Sequence, residues 1–321
     1  MKAWDVFYAN SSGLICAGDK ILLAVSGGQD SMSMLHMFYR LSKKINISFA
    51  VLNFDHGLRK ESASESRLVK SYCKKISVEC FIKKLDVKRR CAEKGVSVET
   101  AARDLRYANL EQIAKTQKCN KIATAHNAND NAETVLMMLM RGSGALCGIP
   151  QIRKTAGNIK IIRPLLEIGR KQIEEYVKKQ KLPYCTDKSN FSTEYTRNKI
   201  RLSLMPVIKE INPKAVEHIF SLSRIQSRED AYLEEISAKF LKKCARFSKN
   251  RILLDLPMFL RYNETIRYRI LKNVLPDKKY ASRINFIMDK ILSSASGQYA
   301  LSMQWVFRLK KTAAEFVRVK R

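Results

Sequence analysis

Residues 24–35 read AVSGGQDSMSML, and Ser26, Gly27, Gly28, Asp30 and Ser31 in it have side chains or backbones that could do chemistry together. An apolar, strand-like run over residues 20–25 leads into them, and apolar residues at helical spacing follow. Two glycines at such a junction permit a sharp turn and bare the backbone amides. A helix starting at Asp30 or Ser31 adds its positive end, the Ser26 and Ser31 hydroxyls add donors, and Gln29 lies between them. The result is an anion cradle suited to phosphate. Asp30 would repel a bare phosphate, and a divalent cation between the two resolves that conflict. The blander alternative is an ordinary strand–turn–helix with a good N-cap. The placement between an apolar strand and an amphipathic helix favours phosphate.

Further reactive types recur at strand ends. Asp130 and Glu133 stand three apart at the start of a helical pattern over residues 128–140. Such a pair can hold a metal ion or take a proton from an amine, although acids that merely suit a helix N-terminus are commoner. His126 follows a short strand pattern over residues 121–125, and Asp55 and His56 end another over residues 47–54. Glu99, Arg103 and Arg106 share one face of a helix over residues 98–115, read either as an ion pair with a solvated arginine or as part of the site. Two glycine-rich stretches are decoys. Gly13 to Lys20 carries an extra Asp19 and precedes its strand, and Gly142-Ser143-Gly144 has its third glycine one residue too late for a dinucleotide fingerprint.

The elements that must position these residues alternate. Helical patterns over residues 30–44 and 62–75 and a strand over 80–85 complete the strand–helix rhythm of the first half. That rhythm predicts a parallel sheet with helices on both faces, and ligands in such folds sit at the carboxyl ends of the strands. A strand-like stretch over 159–166 and a helix over 168–179 follow. After them come a polar loop, a domain boundary near Asn212-Pro213 and a long amphipathic helix over 214–247. A strand at 251–256, helices over 263–274 and 283–292, and a hairpin from 299–310 and 316–319 complete the expectation.

The chain of 321 residues carries 60 Lys and Arg against 30 Asp and Glu, a formal net charge of +30 that points to a polyanionic partner such as nucleic acid. A lysine-rich solvated surface is the plainer explanation. The excess is spread along the chain, with 23 basic and 10 acidic residues in 213–321. The eight cysteines form no C-x-x-C, and with the four histidines they make no metal-ligand spacing, so they read as reduced, buried thiols. With no signal peptide and no apolar run long enough to span a bilayer, a soluble cytoplasmic protein is expected.

The stretch S-G-G-x-D-S at residues 26–31 resembles the signature of the PP-loop ATP pyrophosphatases, which cleave ATP between the α and β phosphates and adenylate a substrate oxygen. Other segments are similar, in order, to those of the tRNA(Ile)-lysidine synthetases. They are Phe54 to Arg59, Glu99 to Tyr107, Ala125 to Thr134, Arg141 to Gly144, Arg163-Pro-Leu-Leu, Asp187 to Asn190 and Arg197 to Arg201. The similarity covers roughly residues 20–210. The family's A-H-H-x-D-D-Q-A-E-T appears here with Asn127, Asn129 and Asn131 at the second His, the first Asp and the Gln, while Asp130 and Glu133 are kept.

The resemblance implies an α/β fold: a parallel doubly wound sheet of the PP-loop ATP pyrophosphatase type (adenine nucleotide alpha hydrolase-like) over residues 1–212. A smaller, mostly helical or α+β, basic tRNA-binding domain would occupy 213–321. It implies ATP and Mg2+ as cofactors. The nucleotide would lie against Ser26, Gly27, Gly28, Gln29, Asp30, Ser31, Asp55, His56 and His126, with the cation on Asp30 and Asp130. It further implies catalytic roles for Asp130, Glu133, Arg103 and Arg106, and tRNA contacts from Arg197, Asn198 and Arg201. The implied partners are tRNA(Ile) with a CAU anticodon and free L-lysine, with no membrane; whether the chain is a monomer or a homodimer stays open. The implied reaction adenylates O2 of the wobble cytidine, and lysine then displaces AMP at C2 to give lysidine. The rivals are a tRNA 2-thiocytidine enzyme, which uses paired cysteines, an amidotransferase-coupled synthetase, and a non-catalytic RNA-binding protein.

Overall fold

The computed structural model describes residues 2–55, 62–155, 157–186, 196–275, 283–293, 296–302 and 304–319. The chain forms two compact units, Met1–Ser227 and Arg228–Arg321. They divide beyond the expected point at 212/213, inside a helix.

In the first unit α1 (Ala3–Ser11), β1 (Lys20–Ala24), α2 (Gln29–Ser42), β2 (Ser48–Asp55), α3 (Ser62–Lys75), β3 (Cys80–Lys84), α4 (Val87–Lys94) and α5 (Val98–Thr116) follow in order. Next come β4 (Lys121–Ala123), α6 (Ala128–Met140), β5 (Ile152–Lys154), β6 (Lys160–Ile162), α7 (Arg170–Gln180) and α8 (Thr196–Lys199). A π-helical turn (Ile200–Leu204) joins α8 to α9 (Met205–Ile211), and α10 (Ala215–Cys244) crosses the boundary between the units.

The sheet order is β3-β2-β1-β4-β6-β5, parallel throughout except for β5, which runs antiparallel to β6. β1 lies at the centre, with Leu22 opposite Ala50 on one side and Ile122 on the other. Its Ile21, Leu22 and Leu23 are fully buried because helices cover both faces, which is why the strand reads as a continuous apolar run. Ile21 and Leu23 pack with Met34, Leu35 and Phe38 of α2, whereas Leu22 packs with Leu110 and Ala114 of α5. The doubly wound architecture expected for the first half is therefore present. Parallel strands bring the ends of β1, β2, β4 and β6 to one edge.

In the second unit β7 (Ala245–Ser248), β8 (Arg251–Asp255), α11 (Leu256–Leu260), α12 (Glu264–Val274), α13 (Ile284–Leu292), β9 (Gly297–Ala300), β10 (Trp305–Leu309) and β11 (Ala313–Arg318) follow α10. The five strands form an antiparallel sheet, β7-β8-β11-β10-β9, whose apolar face buries Leu254, Phe307 and Phe316 with Phe259, Ile270 and Ile287. The long helix expected to reach residue 247 ends at Cys244, because residues 245–248 pair with β8. Among the described residues no helix is long and apolar enough to cross a membrane.

Candidate active site

The turn between β1 and α2 is folded around one hydroxyl. Ser31 Oγ accepts from the Ser26 and Gly27 amides at 3.2 Å each and donates to the Gly28 carbonyl at 3.0 Å. Ser26 Oγ lies 3.2 Å from Ser31 Oγ. Gly27 adopts φ +97°, a conformation that side-chain-bearing residues rarely take. Ser31 is buried and shapes the turn from within, so the loop amides it holds are spent. The donors left to an anion are the first-turn amides of α2, which have no intrahelical partner. Buried Asn53 latches the turn from β2: its Nδ2 donates to the Val25 carbonyl at 2.8 Å, and Ser66 Oγ donates to its Oδ1 at 2.6 Å. A polar residue inside the apolar run Ala50–Phe54 is the sequence signal for such a latch.

β4 adjoins β1, so the start of α6 faces this turn. Asn127 caps α6: its Oδ1 accepts from the Asp130 amide at 3.0 Å, and Asp130 Oδ2 accepts from the Asn127 amide at 3.0 Å. The Asn127 side chain also hydrogen-bonds Asp30. Burial, and then the nearby Asp130 charge, push Asp30 up to about 6, against the pull of Arg170, Asn127 and Arg201. An aspartate whose proton affinity is raised by burial and by a second carboxylate beside it fits a divalent cation at that place. Among the described residues no three His, Cys, Asp or Glu side chains gather into a metal cage.

Glu133, one turn further along α6, is 2% exposed. Arg201 grips it with both ends of its fork, Nε to Oε1 at 2.7 Å and Nη2 to Oε2 at 2.9 Å. Arg201 Nη2 also reaches Asp130 Oδ1 at 3.2 Å. Arg197 Nε lies 3.2 Å from Glu133 Oε2, and its Nη2 donates to Thr134 Oγ1 at 2.8 Å. The two arginines expected at tRNA thus point at the acidic pair, and the buried Asn198 lies between them in the chain. His126 pairs Nδ1 with Thr124 Oγ1 at 3.0 Å. Burial, helped by Arg163, Arg197 and Arg103 and opposed by Asp130, lowers it to about 4, so its imidazole is neutral near neutrality.

The other expected residues are less central. Asp55 ends β2, half-buried, and His56 lies outside the described residues, as do residues 187–195. Arg103 stacks on Tyr107, and Arg106 is exposed on the same helix, α5. The asparagines that depart from the family pattern carry structure. Asn129 Oδ1 accepts from the Arg170 amide at 2.9 Å, at the start of α7. Fully buried Asn131 accepts from the Ile149 amide at 2.7 Å and donates to Ser223 at 2.9 Å. Gly148 presses against that amide at φ +61°, and a Cβ there would come within 2.3 Å of Asn131 Oδ1.

A family model described as a PP-loop domain matches residues 6–208. This chain belongs to the PP-loop domain family. ATP binding follows for a PP-loop domain with an intact first-turn cradle. Among curated relatives, the tRNA(Ile)-lysidine synthase of Thermosipho africanus (strain TCF52B) is 48% identical over 200 residues, 62% of this chain and 46% of the relative. That of Clostridioides difficile (strain 630) is 38% identical over 283 residues, 87% of this chain and 60% of the relative. The chain thus spans roughly half the length of these relatives. Among solved structures, the U34-tRNA thiolase NcsA of Methanococcus maripaludis with its [4Fe-4S] cluster superposes with a TM-score of 0.60 at 16% identity, covering 70% of this chain and 79% of that one. At that identity it speaks for the PP-loop fold alone.

Proposed function

We propose that the chain is a tRNA(Ile)-lysidine synthetase, a cytoplasmic ligase that joins free lysine to C2 of the wobble cytidine of tRNA(Ile) bearing CAU, at the expense of ATP. What carries the proposal is the meeting of Asp30 with Asp130, and of Asp130 with Glu133, Arg197 and Arg201, at the ends of adjoining parallel strands. The curated relatives supply the substrate class by their names.

ATP is taken to lie against residues 26–31, with its phosphates on the first-turn amides of α2 and with Asp55, His56 and His126 around it. Asp30 and Asp130 would hold Mg2+, which would supply positive charge to offset that of the phosphate oxygens. Arg103 and Arg106 are assigned to the phosphates or the cytidine. A lysine amine must lose a proton before it attacks carbon, so a carboxylate must stand ready. The acidic pair divides this work unequally. Glu133 spends both oxygens on two arginines. Asp130 gives one contact from each oxygen and keeps more free acceptor sites, so Asp130 is the proton acceptor. Glu133 holds Arg197 and Arg201 in place.

The sulfur-transfer rival needs a cysteine cluster. Among the described residues no cysteine belongs to a group of three ligating side chains. The test is pyrophosphate release with ATP, labelled lysine and tRNA(Ile) bearing CAU, with elongator tRNA(Met) as control. Lysine should enter the first tRNA alone, and Asp130→Asn should slow its entry by about 100-fold or more. Pyrophosphate release without lysine entry would move the second substrate elsewhere. Wild-type rates in Asp130→Asn would remove its role as proton acceptor.

A further inference from the structure

We propose that Tyr107 and Arg153, flanked by Arg103 and backed by the buried Arg163, form a second anion subsite that takes a phosphodiester of the RNA substrate. The proposal rests on RNA being the substrate of this site. The Arg153 guanidinium lies over the Tyr107 ring, 4.6 Å from its centroid, and that of Arg103 lies 5.3 Å away. Arg163, only 2% exposed, hydrogen-bonds the Tyr107 side chain and donates Nη1 to the Pro150 carbonyl. Among the residues whose side chains are described, neither Arg153 nor Arg163 has a carboxylate partner.

Like charges gathered without a counter-charge repel, and burial magnifies the cost. The phenol records their field: burial pushes Tyr107 up, yet Arg163, Arg103 and Arg153 together pull it below its ordinary value. A purely structural cluster would enclose an acid. The carboxylate lining the adjoining cleft, Glu111, is already held by Lys115 at 3.1 Å and by the Gly157 amide at 2.9 Å. That cleft, about 270 Å³, opens between Tyr107, Arg153 and Lys154 and has room for a phosphate group. Arginine forks beside an aromatic ring suit a phosphodiester, since they offer paired donors and a stacking face together.

Position separates this anion from the phosphates of ATP. Arg163 follows β6, next to β4 and His126, and the fields of Arg163 and Arg103 both reach His126. The cluster therefore borders the active site from the α5 side of the sheet. The residue 26–31 turn feeds α2, which packs on the opposite face. One triphosphate held at that turn leaves this subsite to a second, longer polyanion.

Arg153 is exposed, so its variants test the subsite without opening the core. Binding of CAU-bearing tRNA(Ile) would be followed by fluorescence anisotropy over a salt series, and ATP binding by calorimetry without RNA. Arg153→Ala should weaken tRNA binding about fivefold and make the log K against log salt slope shallower by about 0.9, the loss of one phosphate contact. ATP affinity should hold, and Arg153→Lys should restore most of the slope. Wild-type tRNA affinity and slope in Arg153→Ala would overturn the subsite. Weaker ATP binding with unchanged tRNA binding would also overturn it and assign the cluster to the nucleotide. A wild-type protein that binds tRNA but adds no lysine refutes the proposed activity and leaves the subsite to be decided by the Arg153 variants. One that binds no tRNA overturns both.

Discussion

Arg201 shows how little of a residue's role lies in its type. Arg197 and Arg201 are four apart, so helical spacing puts them on one face, but spacing cannot say what that face meets. The chain brings them across to α6, about seventy residues earlier, where a bidentate fork closes on buried Glu133. Asp130 and Glu133 were legible as a pair from their own spacing; the arginines that hold them were not, because the contact is tertiary. The energetic consequence is specific. Removing one partner of a buried ion pair leaves a bare charge, which costs about 3–5 kcal/mol. Arg197 remains near Glu133, and the Arg201 side chain is 19% exposed, so the lower end applies. Arg201→Ala should lose about 3 kcal/mol in urea unfolding of the first unit, and adding Glu133→Gln should return part of it. A change within about 0.5 kcal/mol would mean that the fork does not hold Glu133 in solution.

At the scale of elements, the strands and helices around the site were legible where apolar periodicity was strong, as in β1, α2, β4 and α6. Helix α4 buries only Val87 and is mostly charged, and β5 is an exposed edge strand, so neither left a pattern. The junction of α10 with β7 was misread because residues 245–247 continue a helical apolar spacing; pairing with β8 decides it. The Gly13 to Lys20 segment, which mimics a phosphate loop, has a different task. Asp19, before β1, accepts from the Cys16 amide at 2.6 Å, Asn120 Nδ2 at 2.7 Å and Lys121 Nζ at 2.5 Å, and so ties that loop to the start of β4. Burial alone would raise its carboxyl, but the bonds from Lys121, Cys16 and Asn120 outweigh it and hold Asp19 below its ordinary value. A folded pKa below the unfolded one, about 3.9, gives stability that is full above about pH 4 and lost as pH falls through the folded value. Asp19→Asn should therefore cost about 3 kcal/mol at neutral pH, and its deficit against wild type should shrink below about pH 4 in denaturation curves. A deficit of equal size at pH 7 and well below pH 4 would remove the carboxylate from the account.

For the whole molecule, the charge of +30 is shared by both units, so if the proposed function holds, RNA affinity should draw on surfaces remote from the reacting base. The second unit offers one such surface. Across its sheet, Arg246, Leu253, Glu315, Arg308 and Gln298 stand in register on the face turned away from the apolar core, and Arg251 shares that face. Glu315, the acid in that row, is buried under Arg251 and Lys310 at 2.8 Å each. The anionic side chain is thus covered, and the cations around it keep their outer sides to solvent. Arg246 and Arg308 are exposed and unpaired with any acid among the described residues, so reversing them leaves the fold's ion pairs intact. Arg246→Glu with Arg308→Glu should weaken tRNA binding, with a salt slope shallower by up to about 1.8 if each meets one phosphate, while ATP affinity holds. A slope equal to wild type would free this face from RNA and shift the whole electrostatic contribution to the first unit. That outcome would make the Arg153 cleft and the edge around Asp130 sufficient for the encounter.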